Sequence, residues 1–361
     1  MNLFQQLHIG LVGPLPPPGG GMANQTRQLA ELLRSEGALV QVVQTNSQYR
    51  PALVSRARGL RALFRLVPYV FALWRAAGHV QLFHVMANSG WAWHLFAVPP
   101  IWIARLRGVP VIVNYRGGEA AQFLEKSAGL VRWSMRRGSS LAVPSQFLEN
   151  TFARHGMAAQ IVPNVIDLSR FHPRPAGRSN GEHIVVARNL EPLYDNESAI
   201  HAFKLVLAHR PSARMTIAGG GPEAERLRAV ALMLGVERSV QFVGRLDHDA
   251  MAELYRGADI ALNPSRADNM PNSLLEAMAS GVPIVSTNVG GVPFMVQDGA
   301  TALLVEAGDV QAMAGAIVRL LEDRNLWLRL SAAGLKQVSE YTWGRVAPEL
   351  AAVYRRALGR V

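Results

Sequence analysis

The 361-residue sequence contains no cysteine. That excludes disulfides, thiolate metal sites and a cysteine nucleophile, and it fits a reducing cytoplasm. No apolar run approaches the roughly 18 to 20 residues that a bilayer-spanning helix needs. The longest candidate, residues 91–104, carries His94 and two prolines and reads as a buried helix. Residues 1–21 have no charged leader followed by an apolar stretch, so they do not read as a signal peptide. Acidic residues are absent from Gly37 to Gly118, a stretch that holds nine arginines.

What is present describes a globular chain. Apolar residues make up 49% and charged residues 17%, and the length suits two domains, each with its own core. The formal net charge of +11 is uneven: residues 1–168 hold 16 Lys and Arg against 6 Asp and Glu, residues 169–361 hold 21 against 20. No nucleic-acid recognition motif accompanies the basic half, so nucleic acid is not an expected partner.

Short apolar runs of strand length alternate with helical spacings along the whole chain, which predicts two mostly parallel α/β sheets. Strands are expected at 8–13, 39–44, 80–85, 109–113 and 140–143, and again at 183–187, 213–218, 240–244, 258–263, 283–286 and 302–305. A helix is expected over residues 91–105, and a composition shift at 173–181 places the domain boundary near Asp167. Asp247, His248 and Asp249 precede a helical spacing, so one Asp reads as an N-cap rather than a metal ligand.

The basic region includes a helix whose Leu60, Phe64, Val67 and Phe71 share one face, with Arg58, Arg61 and Arg65 on another and Pro68 breaking or kinking it. It is either a packed helix with a solvated arginine face or an interfacial helix through which the Arg50–Arg75 region meets an anionic membrane surface.

The most informative stretch is NPSRADNMPNSLLEAMASGVP, residues 263–283. A strand feeds a polar loop, and a helix follows with Asn272 as its expected N-cap and Gly281 and Pro283 as its stop. That arrangement aims backbone N–H groups and the positive helix end at the carboxyl edge of a sheet, which suits an anion. Asp268 and Glu276 frame the site, and carboxylates accept hydrogen bonds from sugar hydroxyls. Phosphates between sugars, the shape of a nucleotide sugar, fit both halves.

The stretch resembles the EX7E signature of retaining glycosyltransferases of family 4, with Asp268 where the first Glu usually stands and Glu276 as the second. The similarity continues through residues 282–309. It implies two Rossmann-like domains facing across a cleft (the GT-B fold): an N-terminal domain 1–167, a nucleotide-sugar domain 168–340 and a last helix 341–361 returning to the first. It implies a metal-independent hexosyl transfer from a UDP- or GDP-sugar to a glycan or lipid-linked acceptor, with no cofactor, in the cytoplasm or peripherally on the membrane's inner face. Donor contacts are implied for Gly20, Gly21, Arg188, Asn269, Met270, Pro271, Asn272, Ser273, Leu274 and Glu276, and catalytic roles for Asp268, Arg188 and Arg116.

Two departures from the family stand out. Arg116 occupies the place of a His that faces the transferred sugar; it either clamps an acceptor phosphate or carboxylate, oriented by Glu119, or forms a structural Arg–Glu pair. The Lys that usually follows Arg188 is missing, and Tyr194, Asp195 and Asn196 stand there, with Asn196 as the candidate replacement. Two other readings remain open: a non-catalytic nucleotide-sugar binder, and a soluble enzyme acting on a small sugar phosphate.

Overall fold

A computed structural model describes residues 3–17, 20–47, 61–136, 139–174 and 181–359. The chain divides into two compact units, Met1–Pro163 with Val346–Val361, and Asn164–Arg345.

The first unit alternates β1 (His8–Gly13), α1 (Gly21–Ser35), β2 (Leu39–Gln44), α2 (Arg61–Ala76), β3 (Leu82–Ala87), α3 (Val98–Leu106), β4 (Val111–Tyr115), α4 (Ala120–Met135), β5 (Ser139–Val143), α5 (Gln146–Arg154) and β6 (Gln160–Ile161). All pairings are parallel, in the order β2-β1-β3-β4-β5-β6. Strand alternation divides the burial. Phe83, Val85, Val111 and Val113 join a core with α2 to α5, while Leu11 and Met86 on the other face pack with Ala30 of α1.

The second unit runs through β7 (His183–Ala187), α6 (Asn196–His209), β8 (Arg214–Ala218), α7 (Ala224–Met233), β9 (Val240–Gly244), α8 (His248–Arg256), β10 (Ile260–Asn263), α9 (Asn272–Ala279), β11 (Ile284–Thr287), α10 (Val292–Met295), β12 (Leu303–Val305), α11 (Val310–Glu322) and α12 (Arg324–Val338). Its six parallel strands lie in the order β12-β11-β10-β7-β8-β9. Chain order reverses between β7 and β10, which makes their carboxyl ends the crevice where ligands of such sheets bind. The final helix, α13 (Trp343–Ala357), buries Leu350, Val353 and Tyr354 on one face.

Two local expectations need correcting. The helix around Pro68 does not break: α2 continues through it for two more turns. A proline removes one helical hydrogen bond, and the burial of Tyr69, Leu73, Ala76 and Ala77 offsets that loss. The expected helix over residues 91–105 is present as one helical run over residues 91–106, with a π-helical turn at Trp93–Ala97 just before Pro99 and Pro100. Asn272 is the first residue of α9 rather than its cap; Pro271 holds the cap position, and the Asn272 Oδ1 accepts a hydrogen bond from Asn164 Nδ2 (2.7 Å). The other cap reading holds, since Asp247 Oδ1 accepts from the Ala250 amide at 2.9 Å.

Residues 48–60, and with them Leu60, Arg50, Arg56 and Arg58, lie outside the described residues. Within α2, Phe64, Val67 and Phe71 are not packed into the core: they are 46%, 64% and 67% exposed, and the buried face is the one carrying Tyr69 and Leu73.

Candidate functional site

The site of the second unit is built at the carboxyl ends of β7 and β10. Arg188 follows β7 directly, and its backbone turn is held by glycines from β8's end. A Cβ at Gly219 would lie 1.9 Å from the Arg188 carbonyl oxygen, and one at Gly221 would lie 2.2 Å from that of Leu190. Only glycine permits that approach.

Residues 268–271, after β10, are fixed the same way. Gly290, with φ of 54°, and Gly291 press on the backbone of Asp268 and Asn269, and the Gly291 amide donates to the Asp268 carbonyl at 2.8 Å. Asn164 holds the far side, its Nδ2 donating to the Met270 carbonyl (3.0 Å) and its amide approaching the Met270 sulfur at 3.3 Å. Met270 and Pro271 are thereby buried, and α9 starts from a rigid base, its Leu274, Leu275 and Met278 each about 1% exposed.

Arg188 is the centre of this cluster. Its Nη2 pairs with Asp268 Oδ2, its Nη1 donates to Ser273 Oγ at 3.3 Å, and its guanidinium carbon lies 4.2 Å from the Tyr194 ring centroid. Tyr194, in the region where the family's Lys is missing, therefore stacks on the arginine, a contact that holds a guanidinium flat. The Arg188 Nε is buried and has no hydrogen-bond partner among the described residues. An unsatisfied cationic donor next to a helix N-terminus is a site for an anion.

Both framing carboxylates respond to this environment. Burial pushes the Asp268 carboxyl above its usual range, and Arg188 together with the Asn269 amide draws it back. Glu276, in the second turn of α9, is pushed up to about 7 by burial, again opposed by Arg188. Arg188 thus acts on both carboxylates at once.

Asn196 begins α6, is buried, and donates from Nδ2 to the Asn189 carbonyl at 2.9 Å, so it braces the turn that presents Arg188. Its cap, Asp195, accepts from Ser198 and pairs with Arg266 Nη2 at 2.9 Å, tying the Tyr194 turn to the loop after β10. Sequence reasoning missed Asn164, Gly290 and Gly291. The glycine pair in VGGVP was the available signal.

The first unit carries the remaining predicted residues. Gly20 caps α1 and Gly21 opens it; a Cβ at either would meet nothing within 4 Å, so the chain itself does not require glycine there. Arg116 follows β4, its amide donating to the Ala87 carbonyl (2.9 Å) and its Nε to Asn114 Oδ1 (2.8 Å). Glu119 is exposed at the start of α4. Among the described residues no group of three or more His, Asp and Glu is arranged to hold a metal ion, and no helix is long and apolar enough to cross a membrane.

Residues 19–170 match the family described as Glycosyltransferase Family 4, and residues 182–323 that described as Glycosyl transferases group 1. The chain is similar to a D-inositol 3-phosphate glycosyltransferase of Acidothermus cellulolyticus, 32% identical over 55% of this chain and 48% of the relative. It is 31% identical to a GDP-mannose-dependent alpha-(1-6)-phosphatidylinositol monomannoside mannosyltransferase of Mycobacterium tuberculosis, over 69% of this chain and 70% of that protein. It therefore spans about half of the first relative's length and more than two thirds of the second's.

Among solved structures it shares the fold of sucrose-phosphate synthase from Thermosynechococcus elongatus, with a TM-score of 0.77, 22% identity and coverage of 99% of this chain and 100% of that one. Anabaena Alr3699/HepE in complex with UDP and glucose also has a TM-score of 0.77, at 16% identity and the same coverage. Two parallel six-stranded α/β units, the GT-B fold and sequence matches to family domains in both halves agree, and the chain belongs to glycosyltransferase family 4, whose members transfer sugar from nucleotide sugars.

Proposed function

We propose that this glycosyltransferase moves a hexosyl group from a UDP- or GDP-sugar to a hydroxyl of a lipid-linked or cell-surface glycan precursor, with retained anomeric configuration and without a metal ion. The carrying observation is Arg188, placed at the reversal of strand order beside the N-terminus of α9 with a buried, unsatisfied Nε. The supporting comparison is Alr3699/HepE, which is described in complex with UDP and glucose.

In this reading Glu276 accepts hydrogen bonds from the ribose hydroxyls. The amides at the start of α9 and Arg188 hold the diphosphate, where negative charge grows as the sugar departs. Asn269, Met270 and Pro271 present the donor sugar to Asp268, which accepts from its hydroxyls. The bond from the anomeric carbon to the phosphate oxygen breaks, a bond from that carbon to the acceptor oxygen forms on the same face, and the acceptor proton ends on the leaving phosphate. Gly20 and Gly21 border the donor, and Arg116 takes an anionic group of the acceptor, a phosphate or carboxylate.

A specific observation supports a membrane-bound acceptor. The outward face of α2 exposes Phe64, Val67, Phe71 and Trp74, and Arg107 lies over the Trp74 ring at 5.0 Å. Apolar side chains edged by arginine, in a stretch without acidic residues, suit an anionic lipid surface on the cytoplasmic side. Sedimentation with anionic liposomes is expected to carry the protein down at low salt and to weaken with added salt and with Phe71→Ser. Indifference to both lipid and salt supports the soluble enzyme acting on a small sugar phosphate.

The transfer itself is tested by incubating UDP- and GDP-sugars with a bacterial lipid extract and reading the product's anomeric coupling by NMR. An inverted product contradicts the mechanism. Donor binding with no turnover in any extract supports the non-catalytic binder.

A further inference from the structure

Arg116 is held by a chain of hydrogen bonds whose direction can be read from its chemistry. A guanidinium only donates, so the Asn114 atom at 2.8 Å from Arg116 Nε is its carbonyl oxygen, and this fixes the orientation of the amide. Asn114 Nδ2 is then a donor, and the His84 Nε2 that it meets at 3.0 Å must accept. A neutral imidazole that accepts at Nε2 carries its proton on Nδ1, which donates to the Tyr354 hydroxyl oxygen at 2.9 Å.

The placement is consistent with the sheet. His84 pairs in register with Ile112, two residues before Asn114, so His84 and Asn114 share the face opposite α2 to α5, and Arg116 continues the same alternation. Tyr354 comes from α13 and packs edge-on against His84 and Phe4, with ring centroids 5.8 and 5.6 Å away. His84 and Tyr354 are fully buried and Asn114 is 1% exposed. Burial, together with the charge of Arg116, holds His84 down at about 3, so the imidazole is neutral at any working pH.

We infer that Asn114, His84 and Tyr354 are positioning residues for Arg116, forming a one-directional chain anchored on the last helix that sets the orientation of the guanidinium toward the acceptor. Arg116's role toward an anionic acceptor rests on the proposed function; the direction of the chain does not. A buried polar chain of this kind is worth most when every member is satisfied, and here the donor-only arginine decides the polarity of the three groups behind it. The family's His at this place would supply either a donor or an acceptor and would leave that polarity open.

The test pairs spectroscopy with kinetics on the full chain. In the wild type, 15N spectra are expected to show His84 with a protonated Nδ1 and a bare Nε2, unchanged between pH 5 and 9. The Nε2-protonated tautomer, or a titration in that range, overturns the chain. Kinetics use a bacterial lipid extract as acceptor and the nucleotide sugar that it consumes. Arg116→Lys is expected to raise the apparent KM for the extract about tenfold or more, with the donor KM unmoved.

Tyr354→Phe keeps the ring and removes only the accepting oxygen, and Asn114→Leu removes both amide partners. Each is expected to raise the extract KM about three- to tenfold and to add nothing in the Arg116→Lys background. Unchanged extract KM in both variants, or effects that multiply with Arg116→Lys, overturn the positioning role while leaving the acceptor reading intact. If Arg116→Lys leaves the extract KM unchanged while the His84 tautomer is as expected, the acceptor reading fails and the chain stands as structure alone. Should Asn114→Leu not fold, Tyr354→Phe alone decides the kinetic arm.

Discussion

Arg188 and Asp268, eighty residues apart, form an ion pair in which the two side chains are 10% and 13% exposed. The pairing couples the cation expected to hold a diphosphate to the carboxylate expected to hold the sugar. An Asp in place of the family's Glu has a side chain shorter by one methylene, and it reaches Arg188 from a loop that Gly290 and Gly291 press into place.

Removing Arg188 leaves the Asp268 carboxylate partly buried without its cation. Arg188→Met is expected to destabilise the fold by about 2 kcal/mol, below the ~3–5 kcal/mol of a fully buried pair because both groups keep some solvent. It is also expected to lower kcat/KM about 100-fold or more through the lost diphosphate contact. Urea unfolding checks the first effect, and Arg188→Met with Asp268→Asn should be less destabilised than Arg188→Met alone.

Glu276 gives a pH dependence with two opposite faces. Its carboxyl stands at about 7 in the folded chain against 4.5 for an ordinary Glu, so the charged form is disfavoured by folding. A raised folded pKa stabilises the fold fully below the unfolded value, and that contribution is lost as pH rises through about 7. Glu276→Gln is therefore expected to raise Tm by a few degrees relative to wild type at pH 8 and to change it little at pH 4. Donor affinity runs the other way, since only the carboxylate accepts freely from two ribose hydroxyls. Wild-type affinity for the nucleotide should fall as pH drops below about 7, and Glu276→Gln should bind weakly at every pH. Calorimetric titration at pH 6 and 8 reads both.

Gly291→Ala probes how the loop is held. Its Cβ would sit 1.8 Å from the Asn269 carbonyl oxygen, which no rotamer relieves, so the loop must move. Donor KM is expected to rise about tenfold, in keeping with the sensitivity of positioned groups to shifts near 1 Å. Gly20→Ala, where a Cβ meets nothing within 4 Å, should leave stability unchanged, so any effect on donor KM there reports the ligand.

The strands were legible as short continuous apolar runs, buried on both faces as in parallel sheets, and the helices by their 3.6-residue spacing, both local properties of the sequence. Asp268 and Glu276 were picked out by the strand–loop–helix spacing and Arg188 by the resemblance to the family, and the structure brings the three into one cluster. The bracing was not. Asn164 acts on Met270 and Asn272 across 106 and 108 positions, Gly219 on Arg188 across 31, and Gly290 and Gly291 on Asp268 and Asn269 across 22. Nothing local marks such contacts. Asn272 failed as a cap because Asn164 occupies its oxygen, and the Phe64, Val67 and Phe71 face read as a packing stripe or a lipid stripe until the structure left it exposed. The link of His84 through Asn114 to Arg116 needed the strand register.

The role proposed for the cluster around Arg188 and Glu276 is to hold a nucleotide sugar for transfer. The most direct measurement is release of nucleoside diphosphate from a panel of UDP- and GDP-sugars, with and without a bacterial lipid extract, by wild type and Glu276→Ala. Release is expected from one donor, dependent on the extract, and lost in Glu276→Ala through a sharply raised donor KM. Release that Glu276→Ala leaves at the wild-type level and donor KM would contradict that role.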